Sequence, residues 1–213
     1  MLPGVGARDP RVVADPTIMP WAAVARLQIP GVSRCTAVLV QPNFAVTAAH
    51  CLTRPGLGHF VQATSIHLLL GYDAGGFTRH IVPDAVILPA DARATGSPLG
   101  ADFAVLHFAP PAAQTLPLDP APLLPGAELV LAGFNQDRIE RLAVDAGCHV
   151  TGPPQAPLIE HDCTGTHGTS GGPLLTHDGS GGYRVAGIQV AGRAGTGGIA
   201  IPAAVIARLL GGS

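Results

Sequence analysis

Gly168-Thr169-Ser170-Gly171-Gly172-Pro173 is the segment of this chain best suited to chemistry. Flanking glycines allow close approach to the serine backbone and left-handed dihedrals, so that successive N–H groups can converge beside the hydroxyl. Such a point holds the negative charge that develops when a hydroxyl attacks a carbonyl. The hydroxyl attacks only with a base at hand, and histidine is the usual one near neutral pH. Of nine histidines, His50 stands out, because it follows Val46-Thr47-Ala48-Ala49 and precedes Cys51. A strand end with small neighbours and a cysteine holds a ring firmly. The base needs a carboxylate to set its tautomer and stabilise the imidazolium. Asp102 heads the apolar run Phe103-Ala104-Val105-Leu106, where an unpaired carboxylate would be costly. Asp84 and Asp91 are rivals, but both sit in Pro-flanked, turn-like contexts. Taken singly, these features read as a Gly-rich turn, a strand-end histidine and a strand cap.

The serine segment also fits the Gly-x-Ser-x-Gly elbow of α/β-hydrolases. That fold requires an acid and then a histidine after the serine, whereas here only His177 and Asp178 follow, side by side on a turn. The parallel sheet and helices it needs are absent from the pattern. The four cysteines, Cys35, Cys51, Cys148 and Cys163, form two local pairs in sequence. Each would close a loop of about 15 residues, worth roughly 3 kcal/mol if bridged, and three connectivities are open. His161-x-Cys163-x-x-x-His167 is the nearest approach to a zinc pattern and is not a standard set. Disulfides in an exported protein, secreted or periplasmic, are the expectation.

Composition narrows the classes. The 213 residues hold 28 glycines, 21 prolines and no lysine, with 12% charged and 47% hydrophobic. Disordered tails are more charged, collagen has a Gly-x-y period, and long amphipathic helices need Lys, Glu and Leu at helical spacing. A formal net charge of −2 gives no reason to expect nucleic acid or anionic lipid as a partner. No apolar run reaches the length of a membrane span, and the first ten residues do not form a signal peptide.

Short apolar runs between Gly and Pro turns predict strands. The first half offers them at residues 22–29, 35–40, 44–47, 65–70, 80–82, 85–88 and 103–108. The second half offers 128–133, 138–144, 148–151, 158–163, 173–176, 183–190 and 198–201. Residues 202–210 read as one helix, with Pro202 at its start and Gly211-Gly212 after it. Residues 109–125 carry six prolines and no period. The organisation is a lead-in or pro-segment (1–19), a β unit with His50 and Asp102 (20–112), a Pro-rich linker (113–125), and a β unit with Ser170 and the terminal helix (126–213).

Taken together, Thr-Ala-Ala-His50-Cys51, Asp102-Phe-Ala-Val-Leu and Gly-Thr-Ser170-Gly-Gly-Pro resemble the chymotrypsin-like serine proteases, in the same His, Asp, Ser order. The likeness runs from about Arg11 to Leu210. Pro20-Trp21, Cys35-Thr36, Cys148 and His161-Asp162-Cys163 are most similar to the V8-like glutamyl endopeptidase branch. The resemblance implies an all-β fold of two perpendicular antiparallel β-barrels with a short C-terminal helix and the active site between the barrels. It also implies disulfides Cys35–Cys51 and Cys148–Cys163. By the same likeness Ser170 is the nucleophile, His50 the base, Asp102 its orienting acid, and the N–H groups of Gly168 and Ser170 the oxyanion hole. The expected substrate is a peptide or protein, the expected state a monomer, and no cofactor or metal is implied.

Two departures matter. Trypsin-like zymogens place Asp before the nucleophile, to pair with a newly cut terminus; here Thr169 stands there and cannot form an ion pair. Arg11-Val12-Val13 still resembles a processing point. The likeness further puts Thr164 and Gly165 at the base of the specificity pocket and Gln189 and Gly192 on its wall, with His167 beside the oxyanion loop. Thr164 is neutral where Arg- or Lys-specific enzymes carry a carboxylate, and Gln189 replaces the histidine of glutamyl enzymes. A small, apolar or amide side chain then becomes as good a candidate as Glu. A silent binding module or an esterase on the same fold are the competing readings.

Overall fold

The computed structural model describes residues 5, 8–54, 56, 58–138, 140–153, 156–193, 195 and 197–211. Its strands pair into two seven-stranded sheets, antiparallel throughout. One sheet begins with an edge strand from the lead-in, β1 (Val12–Val13). The other holds β2 (Val24–Ile29), β3 (Ser33–Gln41), β4 (Phe44–Thr47), β5 (His67–Leu70), β6 (Arg79–Ile81), β7 (Ala85–Ile87) and β8 (Ala104–His107). Its order is β6-β5-β2-β3-β4-β8-β7. The sheet containing β1 continues with β9 (Glu128–Phe134), β10 (Leu142–His149), β11 (Ile159–His161), β12 (Pro173–His177), β13 (Tyr183–Gly192) and β14 (Gly198–Pro202). Its order is β1-β10-β9-β12-β13-β14-β11. A helix, α1 (Ala203–Gly211), ends the described chain.

Most strands lie where the short apolar runs placed them. Ser65, expected in strand, closes a 3₁₀ turn, and Pro202, expected to open the helix, ends β14 instead; three larger details also differ. Ala22 and Ala23, expected as strand, belong to a 3₁₀ turn, Trp21–Ala23, ahead of β2. The runs at 138–144 and 148–151 are one strand, β10, continued through a bulge: Asp145 faces Leu131 and Cys148 faces Leu129, so β10 carries one extra residue there. Arg138 precedes it in a turn, and Ile139 lies outside the described residues, as does Gly212 after the helix. The lead-in was given no strand, yet β1 adds to the edge of β10 through Val12 opposite Val144 and Val13 opposite Ala143.

The main apolar core is continuous across both sheets. It joins Leu27, Leu39, Leu106 and Phe108 of the first to Phe134, Leu142, Leu175 and Ile188 of the second. Cys35–Cys51 and Cys148–Cys163 are disulfides, each within one sheet region. The Pro-rich stretch is laced down rather than loose. Ala112 and Leu116 donate to the carbonyls of Pro42 and Leu39, whereas Pro117 accepts from Val185 and Asp119 donates back to it. Among the described residues no helix is long and apolar enough to cross a membrane.

Candidate active site

His50 sits in a short 3₁₀ turn, Ala49–Leu52, that β4 runs into. Asp102 follows another such turn, Leu99–Ala101, just before β8, the strand paired with β4. That pairing brings the two residues together. One oxygen of Asp102 accepts the His50 ring Nδ1 at 2.7 Å and the other accepts the His50 backbone N–H at 2.8 Å. A ring whose Nδ1 carries the proton toward a carboxylate leaves Nε2 as an acceptor. The carboxylate is largely covered and the ring is 44% exposed, so Asp102 is sheltered while His50 faces the site.

Ser170 comes from the loop between β11 and β12, in the other sheet, but is pinned to the first. Its carbonyl accepts the Thr36 N–H from β3 at 2.9 Å. The same carbonyl lies 3.9 Å from the Cys51 sulfur, and a ring nitrogen of His50 lies within 4.8 Å of both sulfurs of Cys35–Cys51. Because those sulfurs are bonded to each other, they form no thiolate pair for a metal. Gly171 makes the approach possible: a Cβ there would fall 2.1 Å from the Thr36 carbonyl oxygen and 2.4 Å from Thr47 Oγ1, and its φ is +80°. Only glycine fits.

The loop before Ser170 is held by an internal polar network. Thr36 Oγ1 donates to the Gly168 carbonyl at 2.8 Å and accepts the Phe134 N–H at 2.9 Å. Asn135 Oδ1 accepts both the Thr169 hydroxyl at 2.7 Å and the Thr166 N–H at 2.9 Å. Gly168 has φ +95°, which turns its peptide group away from an ordinary extended path. Among the described residues neither the Gly168 nor the Ser170 N–H has an acceptor.

Gly165, Thr166, His167, Ser170, Gln189 and Gly192 line a pocket of 80 Å³. Thr164, expected at its base, is buried and does not line it, its N–H donating to Asp145 at 2.7 Å, whereas Thr166 is among the lining residues. Gln189 is locked from both ends. Cys163 N–H donates to His161 Nδ1 at 3.2 Å, so Nε2 carries the ring proton and donates to Gln189 Oε1 at 2.6 Å. Gln189 Nε2 donates to the Ala191 carbonyl at 2.9 Å. Burial pushes His161 down to about 4, outweighing its bond to Gln189, so the ring is neutral near pH 7. A groove of 550 Å³ meets the pocket at His167 and runs on past Gly168, Cys35, Arg34 and Gln136.

His161, Asp145 and Asn135 were not expected in these roles. In sequence His161 stood out for its place two residues before Cys163, as part of the V8-like stretch and of a nonstandard zinc spacing, neither of which pointed to Gln189. Cys163 is bonded to Cys148 and has no thiolate to offer.

A trypsin-like peptidase domain model matches residues 35–188, which span all three residues of the His50, Asp102 and Ser170 set. No protein of curated function matches the chain by sequence. By structure the chain is similar to a Glu endopeptidase, at 19% identity and a TM-score of 0.82, over 97% of each chain. It is also similar to the protease Anisep from Arthrobacter nicotinovorans, at 18% identity and a TM-score of 0.73, over 93% of this chain and 96% of that one. These likenesses show the fold, the all-β chymotrypsin-like one that the three motifs implied. With most of its length matched by that domain model, the chain belongs to the trypsin-like peptidase family.

Proposed function

We propose that this protein is a serine endopeptidase, acting outside the cytoplasm through Ser170, His50 and Asp102. The observation that carries the reading is the double clamp of Asp102 on His50, next to a serine loop whose carbonyl is pinned to the same strand system. Ser170 Oγ attacks the peptide carbonyl as His50 Nε2 takes its proton. The N–H groups of Gly168 and Ser170 receive the oxyanion. Collapse breaks the C–N bond, and His50 returns the proton to the leaving amine; water then repeats the sequence on the acyl-enzyme. Each oxyanion donor in comparable sites contributes about 3–4 kcal/mol.

The side chain before the scissile bond enters the pocket at Gln189, and the groove past Cys35 takes the leaving side of the substrate, since Cys35 is bonded to the neighbour of His50. Gln189 and its partner His161 are neutral, and the space is small. Among the described lining residues, no lysine or arginine awaits a buried substrate carboxylate and His167 is the one ionisable side chain, so a small neutral side chain, an amide included, is preferred over Glu, Arg or Lys.

Intact mass after treatment with a fluorophosphonate tests the chemistry. One adduct on wild type and none on Ser170→Ala or His50→Ala supports it. No adduct on disulfide-bonded protein would overturn it in favour of a binding module. Cleavage of a peptide library then reads the pocket, and a dominant preference for Glu would refute the neutral assignment.

A further inference from the structure

The loop that carries the oxyanion donors is held by a turn, residues 135–138, and that turn has two faces. On one face Asn135 takes the Thr169 hydroxyl and the Thr166 N–H, and the Gln136 N–H donates to the His167 carbonyl at 2.7 Å. Asn135 is itself fixed, because its Nδ2 donates to the Gly133 carbonyl at 3.0 Å. With the Gln136 Nε2 donating to Thr166 Oγ1 at 3.3 Å, residues 166–169 therefore lean on Asn135 and Gln136 through four hydrogen bonds.

On the other face the same turn grips the lead-in. Arg11 is buried, its side chain only 1% exposed, between two carboxylates. Its Nη2 donates to Asp137 at 2.6 Å and its Nη1 to the other Asp137 oxygen at 3.1 Å. Nε and Nη2 donate to the two oxygens of Asp9 at 2.8 and 2.9 Å. Arg138 closes the ring, donating to Asp9 at 2.7 Å and to the Arg11 carbonyl at 2.9 Å. Burial alone would depress Arg11, but the bonds from Asp9 and Asp137 outweigh it and raise its pKa above the ordinary arginine value. Val12 and Val13 continue directly into the β1–β10 pairing. Farther along, Glu140 ties the chain to Arg26 and Tyr72.

We propose that Arg11 is a positioning residue for catalysis: the lead-in acts as a built-in strap that sets the 135–138 turn and, through Asn135 and Gln136, holds the oxyanion loop in its donating form. This rests on the serine endopeptidase reading. The strap uses a side chain, not a new terminal amine, and so needs no cut. Cleavage after Arg11 would separate Arg11, together with Asp9, from the rest of the chain and free Asp137 of its partner, switching activity down rather than on. Thr169, neutral and bonded to Asn135, takes over the ordering role without an ion pair.

The test compares full-length wild type with Arg11→Ala, Arg11→Lys and Asp137→Asn, first confirmed folded by their melting curves. Hydrogen exchange over residues 164–172 is the first readout. Arg11→Ala should speed exchange there at least about tenfold while β2–β5 is unchanged. The second is the rate of fluorophosphonate labelling of Ser170. It should fall on the order of tenfold in Arg11→Ala and recover partly in Arg11→Lys, with peptide KM nearly constant, as for a loosened transition-state donor. Unaltered exchange at 164–172 in folded Arg11→Ala overturns the strap, whatever the activity. Normal exchange changes with an unreactive wild type would instead sink the endopeptidase reading and leave the strap supported.

Discussion

Asp102 receives both hydrogen bonds it makes to His50 from the same residue, one from the ring and one from the backbone. Asp102→Asn preserves the volume but offers an N–H₂ to one of two donors, and so favours the wrong tautomer of the ring. The expected fall in kcat is roughly 10⁴-fold, measured in a steady-state peptide assay with the melting temperature as control. His161 yields a prediction of a different kind. Its pKa is depressed in the fold to about 4, against an ordinary 6.5, because burial disfavours the cation. The unfolded chain then binds the proton more readily, so this residue's contribution is complete above about pH 6.5 and is lost as pH falls toward 4. Between pH 7 and pH 5 the loss is about 2 kcal/mol, readable as a falling urea midpoint. His161→Gln should flatten that dependence; an unchanged slope would contradict the assignment. The proposed triad was legible because each member lies in a short local motif. The His161–Gln189 bond spans 28 residues, and only the register of β11, β14 and β13 creates it.

At the level of elements, the serine loop works because it fits against a strand end it does not belong to. Gly171→Ala would place a methyl inside the contact with Thr36 and Thr47, at a φ of +80°. We expect a loss of at least about 2 kcal/mol in chemical denaturation and disappearance of labelling at Ser170. Gly171 was readable as part of a Gly-rich motif, though not the strand that requires it. The bulge in β10 was less legible. It lets Asp145 reach the Thr164 and Gly147 N–H groups, yet the residues around Gly147 look in sequence like a break between two strands. Local pattern finds strands well; it does not show where an extra residue is absorbed within one. The 3₁₀ turn at Trp21–Ala23 was missed for a related reason, since small apolar residues suit either state.

Across the whole molecule, the two sheets share one core and meet at Thr36, which is wholly buried. Its N–H goes to Ser170, its hydroxyl to Gly168 and from Phe134, and its carbonyl accepts the Thr47 hydroxyl. Thr36→Val keeps the shape but leaves the Phe134 N–H and the Gly168 carbonyl unpaired. It should cost about 2–3 kcal/mol in stability and slow labelling of Ser170, checked by denaturant titration and labelling kinetics on the same sample. The Pro-rich stretch marked the passage between halves in the sequence, but the contacts that join those halves are polar and long-range. Composition carries no trace of them. Ser170 thus travels on one half of the chain while its footing belongs to the other. A chimaera that grafts the second half of this protein onto the first half of another peptidase would inherit the serine and lose what steadies it, unless a threonine waited at the matching point of the host.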